Sequence, residues 1–151
     1  MNPKDYKASE EEIQEALEKA RERLSAAYFL LREKHYFDSV SRSYYAILDS
    51  ARALLLSDGH FAKTHDGVLT LFSLKYIKTG KIEVKYKDIF EQSKKFRIEA
   101  DYHFMAQWDY KTALKVYRWA KEFVEMVKKE MKKGEKKLKQ TGNITMKTIL
   151  L

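Results

Sequence analysis

The sequence predicts an all-α protein, an antiparallel up-and-down bundle of four long helices and one short one. Three observations lead there. Five glycines and a single proline, at position 3, leave little to punctuate strands or hairpins. Ala, Leu, Glu, Lys and Arg are abundant, which favours helix. Apolar residues recur at steps of three and four, as a helix with one buried face requires. At 151 residues and 44% hydrophobic content, the chain suits a single domain with one core.

Each helix carries its own signals. Ser9 and Glu12 form a capping-box pattern, so the first helix starts near Glu10 and buries Ile13, Ala16, Leu17, Ala20, Leu24, Ala27 and Leu31. Positive charge in REKH, 32–35, closes it at the negative end of its dipole. A second helix is expected after Asp38, with Val40, Tyr44, Ile47, Ala51 and Leu54 inward, ending before Gly59. Thr64 reads as the N-cap of a short third helix, THDGVLTLFSLKYI, halted by Thr79 and Gly80. The fourth runs from about Val84 to Phe104. Asp109 caps the fifth, whose stripe is Ala113, Tyr117, Ala120, Val124 and Val127. After Gly134 this pattern stops, so residues 1–133 are read as the bundle and 134–151 as a basic, flexible tail.

Charge and composition narrow the function classes. Seven lysines against two glutamates between Lys128 and Lys139 account for five of the net +8, so the body is nearly balanced. A solvated helix end explains this segment more simply than a nucleic-acid tail. With no cysteine, disulfides, thiolate metal sites and cysteine nucleophiles are excluded, and a reducing cytoplasm fits. No apolar run approaches the roughly 18 residues of a membrane span, and the N-terminus lacks a signal-peptide core, so a cytoplasmic location without membrane association is expected. No histidine pair at helical spacing and no HExxH occur, so neither a metal nor another cofactor is expected.

The ionisable groups concentrate in FRIEADYHF, 96–104. On a helix, Tyr86, Ile89, Ser93, Phe96, Ala100 and Phe104 share the core stripe, and Arg97 and His103 fall on its two shoulders, about 60° to either side. The two are about 9 Å apart along the axis, so convergence needs long side chains, a helix end or a second chain. Asp101, four residues after Arg97, offers an intrahelical ion pair. Ile98, Tyr102 and Met105 form a second apolar seam on the outer face, suited either to another helix of the same chain or to a homodimer. In the second helix, Tyr45 is rotated about 100° from the buried stripe and lines a groove, with Arg42 and Arg52 as candidate phosphate contacts beside it. His65 is read as serving the helix start.

Four ordered segments carry a family resemblance: SYYAILDSARALLLSDG at 43–59, THDGVLTLF at 64–72, KTG at 78–80 and RIEADYHF at 97–104. The chain, from about Ser9 to Lys133, resembles a HEPN domain of the UPF0332 type. The resemblance implies a helical bundle that pairs as a dimer and works with a small nucleotidyltransferase as toxin and antitoxin. Several such lineages are metal-independent endoribonucleases with the motif Arg, four to six residues, His. Arg97, five residues and His103 satisfy it. The resemblance assigns Arg97 to phosphate charge and His103 to general acid–base work, with Asp101 and Tyr102 in support. Two positions depart from the family pattern. Ile98 follows the arginine where active members often carry a polar residue, and Met105 stands where some toxins carry a modifiable tyrosine. The leading reading is a toxin-like protein with RNA as substrate; the rival is a catalytically silent module that recruits or regulates the nucleotidyltransferase. A plain nucleic-acid binder using the lysine-rich tail is the third.

Overall fold

The computed structural model describes residues 7–102 and 108–150. Five helices follow one another: α1 (Glu10–Arg32), α2 (Tyr36–Ser57), α3 (His65–Phe72), α4 (Val84–Tyr102) and α5 (Tyr110–Leu150). A π-helical segment, Ser73–Ile77, extends α3. No strand occurs among the described residues. Nor is any described helix long and apolar enough to cross a membrane.

The helix starts follow the local chemistry. Ser9 Oγ accepts from the Glu12 backbone N–H at 3.1 Å, while the Glu12 carboxylate accepts from the Ser9 N–H at 3.1 Å, completing the capping box. Thr64 Oγ1 accepts from the Gly67 N–H at 2.9 Å, and Asp109 Oδ1 from the Thr112 N–H at 2.9 Å. Gly67 permits the first of these, because a Cβ there would lie 3.0 Å from Thr64 Oγ1. Lys34 turns the chain between α1 and α2 at φ 65°, a conformation that costs a non-glycine residue energy. Gly59 at φ 81° provides the left-handed residue after α2.

Contacts along the helices set their directions. Ser39 Oγ donates to the Ala27 carbonyl at 2.8 Å, and Arg23 reaches Asp49 farther down, so α1 and α2 run antiparallel. Lys85 pairs with Glu122 while Phe96 meets Trp119, which sets α4 antiparallel to α5. The central element is α2, which packs against α1, α3, α4 and α5. Accordingly Ala46, Leu48, Ala53 and Leu55 are buried as well as the expected stripe Val40, Tyr44, Ile47, Ala51 and Leu54. A single stripe underestimates a helix surrounded on every side.

Phe72, Phe90 and Phe123 meet at centroid distances of 5.3–6.0 Å and, with Tyr76, fill the main core. Tyr76 turns inward from the π segment; its hydroxyl donates to Asp58 Oδ2 at 2.6 Å.

Boundaries differ from the sequence expectation in three places. The second helix begins at Tyr36, before Asp38. The third changes to a π turn after Phe72, where the Lys78 N–H reaches back five residues to the Ser73 carbonyl. The backbone of α5 continues helical through Gly134 to Leu150, although Val127 is its last buried residue among those whose side chains are described.

Candidate functional site

Adjacent tyrosines of α2 point to different surroundings because successive helical residues are about 100° apart. Tyr44 is buried, and burial pushes its phenol up to about 12 despite the opposing charge of Arg97. Tyr45 is half-buried and faces a polar cluster built by α1, α2, α3 and α4.

Arg97 of α4 organises one side of that cluster. Its Nη2 donates to the Tyr45 hydroxyl at 3.0 Å, and its Nε lies 2.9 Å from Asp101 Oδ2 in an i,i+4 ion pair. Its guanidinium carbon lies 5.8 Å from the Tyr44 ring centroid and 5.5 Å from that of Tyr45, within cation–π range of both. The side chain remains 23% exposed, so an anion can still reach it.

His65, the first residue of α3, stands beside the same rings, with centroids 5.8 Å from Tyr45 and 6.2 Å from Tyr44. The Thr64 cap fixes the start of α3, and a Lys94–Asp66 hydrogen bond ties that start to α4. Burial lowers the His65 pKa, and the charges of Arg52 and Arg97 lower it further. The imidazole is therefore neutral at neutral pH and able to accept a proton.

Asp49 occupies the other side, one helical turn beyond Tyr45. It is buried, and its Oδ2 lies 3.6 Å from Arg23 Nε while its Oδ1 lies 3.8 Å from Arg52 Nη1. Burial raises its pKa, a shift limited by Arg23 and then Arg52. The Arg23 guanidinium carbon also lies 5.5 Å from the Tyr45 ring centroid. Guanidiniums from two different helices thus lie within cation–π range of one half-buried phenol.

The structure brings Arg97, Asp101 and Tyr45 together and places Arg52 in the same cluster through Asp49. Arg42 is exposed on α2, on the shoulder of the face that carries Tyr45. Ile98 and Tyr102 lie on the outer side of α4, 39% and 70% exposed, so within one chain the expected apolar seam is uncovered at both positions. Ile98 borders a shallow surface depression with Leu69, Lys94 and Lys95. His103 and Met105 lie outside the described residues. Sequence reasoning missed Arg23 and Asp49 and favoured a helix-end role for His65 over a functional one. A buried acid one turn from a half-buried tyrosine carries little sequence signal, because its partner Arg23 is distant along the chain.

Comparison with known proteins decides the family. The HEPN domain model matches residues 13–131, most of the chain and all of the cluster just described. This chain belongs to the HEPN domain family. A Methanocaldococcus jannaschii protein named "Putative toxin MJ0605" is 41% identical over 122 residues, spanning 81% of this chain and 90% of its relative. A UPF0332 protein of Thermotoga maritima is 30% identical over 111 residues, 74% and 84% of the two chains. Another UPF0332 protein, PH1297 of Pyrococcus horikoshii, is 40% identical over 76 residues, covering 50% of this chain and 54% of its own. These matches place the HEPN domain here in the UPF0332 type that the ordered segments suggested. The matched span ends two residues before Lys133 and leaves the last turns of α5 beyond it.

Proposed function

We propose that this HEPN domain acts as a toxin-like, metal-independent endoribonuclease controlled by a small nucleotidyltransferase partner. The observation that carries the reading is the seating of Arg97: a guanidinium fixed by a phenol and a carboxylate, still exposed, beside a neutral imidazole. The toxin-type name of the M. jannaschii relative supports the same direction.

The chemistry follows from those groups. A base removes the 2′-OH proton of RNA, and the alkoxide attacks the adjacent phosphorus. The bond from phosphorus to the 5′-oxygen breaks, leaving a 2′,3′-cyclic phosphate while an acid protonates the departing oxygen. Arg97 stabilises the charge that develops on the non-bridging oxygens, work that a planar donor fork with a fixed orientation does well. His103 is assigned as acid or base from its spacing to Arg97. Homodimerisation through the face of Ile98 and Tyr102 would set two such centres side by side.

One feature favours the rival reading, a catalytically silent module. Arg97 already has two partners in its own chain, so the residue can serve structure alone. The test is RNA cleavage in excess EDTA. The ribonuclease reading expects cleavage that His103→Ala abolishes while the fold and the molar mass in solution are retained. A protein that leaves RNA intact yet forms a stable complex with the nucleotidyltransferase supports the silent module instead.

A further inference from the structure

We infer that Arg23 and Arg52 form a second phosphate-binding site for a single RNA strand, next to Arg97 and linked to it through the ring of Tyr45. This inference rests on the ribonuclease reading and deepens it by naming how the strand is held beyond the scissile phosphate.

The geometry gives three grounds. First, the arginines are connected through one residue: Arg23 and Arg97 each lie 5.5 Å from the Tyr45 ring centroid. Their charges therefore cannot be farther apart than those two distances together, a span that neighbouring phosphates of a single strand can bridge. Second, within the ion-paired set the cations outnumber the acids: Arg23, Arg52 and Arg97 pair with two carboxylates, Asp49 and Asp101, while Glu12, Glu15 and Lys19 border the groove that Asp49 and Arg52 line.

Third, the guanidiniums are not used up by Asp49. Both ion pairs, at 3.6 and 3.8 Å, exceed hydrogen-bonding distance, and the two arginine side chains stay 36% and 30% exposed. A carboxylate needing only neutralisation would be served by one closely hydrogen-bonded arginine. Here two arginines from different helices stand off it with their side chains partly exposed, and a phosphate approaching from outside can take the donors that the carboxylate leaves. Tyr45, within cation–π range of both Arg23 and Arg97 and half-buried, offers the exposed part of its side chain to the sugar or base that joins the phosphates.

The probe is a short, dye-labelled 2′-O-methyl RNA strand, which lacks the nucleophilic hydroxyl and stays intact during a titration. Its affinity for the full chain is measured by fluorescence anisotropy at several salt concentrations. Each phosphate contact on a single strand contributes about 0.7 to the slope of log affinity against log salt. Asp49→Asn should tighten binding, because a competing carboxylate is removed while the arginines remain. Adding Arg23→Gln and Arg52→Gln to that variant should lower the slope by about 1.4, two contacts' worth. Circular dichroism checks the fold of each variant. Should the triple variant not fold, Arg52→Gln alone should lower the slope by about 0.7.

An unchanged slope and affinity in folded variants would show that Arg23 and Arg52 only neutralise Asp49, and the inference fails. Failure of the unaltered protein to bind the strand overturns it equally. If the unaltered protein binds with the expected arginine dependence but does not cleave the 2′-hydroxyl strand in EDTA, the second site stands and the ribonuclease reading falls. Cleavage without arginine-dependent slope gives the reverse.

Discussion

Tyr44 and Tyr45 are chemically identical neighbours, yet they belong to two different regions of the molecule. Tyr44 is 1% exposed and meets the ring of Phe90 in the main core at 6.4 Å. Tyr45 is touched by Arg23, Arg97 and His65, and its hydroxyl accepts from a guanidinium. On the Tyr44 side, aromatic packing excludes water, although Arg97 and His65 also stand near this ring. On the Tyr45 side, two guanidiniums, each paired with a carboxylate, lie against a single phenol, an arrangement that core packing does not require. Aromatic packing is concentrated in the first region and ionisable side chains in the second, and a rotation of about 100° on one helix separates them.

The largest effect expected is confined to the first region. Phe123 contacts Phe72, Phe90 and Tyr86, so Phe123→Ala should cost about 3–5 kcal/mol in denaturant unfolding. Should the fold survive, the arrangement of Arg97 on Tyr45 should persist, and with it strand binding. A loss of binding in folded protein would show that the two regions are coupled.

Asp49→Asn sharpens the comparison from the other side. Because burial raises the Asp49 pKa in the folded state, that state holds its proton more tightly than the unfolded chain does. The stability linked to Asp49 is thus present below the unfolded pKa and lost as pH rises through the folded value. Asp49→Asn should therefore raise the melting temperature at neutral pH, and the gain should shrink to nothing on acidification below the ordinary carboxylate range. A gain independent of pH would contradict that cause.

The smallest effect is on Tyr45→Phe, which removes one half-buried hydrogen bond to a charged donor and should cost about 1.5 kcal/mol, read from thermal unfolding. Its consequence for function should be larger than its consequence for stability, since the guanidinium of Arg97 loses the group that orients it.

Much of the fold was legible because it rests on local chemistry. Ser9 with Glu12, Thr64 and Asp109 mark helix starts through hydrogen bonds spanning three residues, and all three are formed. What depends on lateral packing was not. Phe90 is fully buried although it lies beside the expected stripe of α4, because α3 and α5 both approach that side. The all-round burial of α2 likewise reflects how many neighbours it has, which periodicity does not encode.

The site divides in the same way. Arg97 with Asp101 was readable, since a spacing of four fixes the pair on one helix. That Tyr45 stands off the buried stripe was readable from its angle to Tyr44. Arg23 with Asp49, and His65 with Tyr45, join segments 26 and 20 positions apart, and only the assembled bundle brings them into contact.

The most direct test of the Arg97 assignment is the rate of RNA cleavage in excess EDTA by the unaltered protein and by Arg97→Ala, with equal fold content confirmed for both. Cleavage by the unaltered protein that slows at least about a hundredfold on removal of the guanidinium is the predicted result. Equal rates from both proteins, or no cleavage by either, would contradict it.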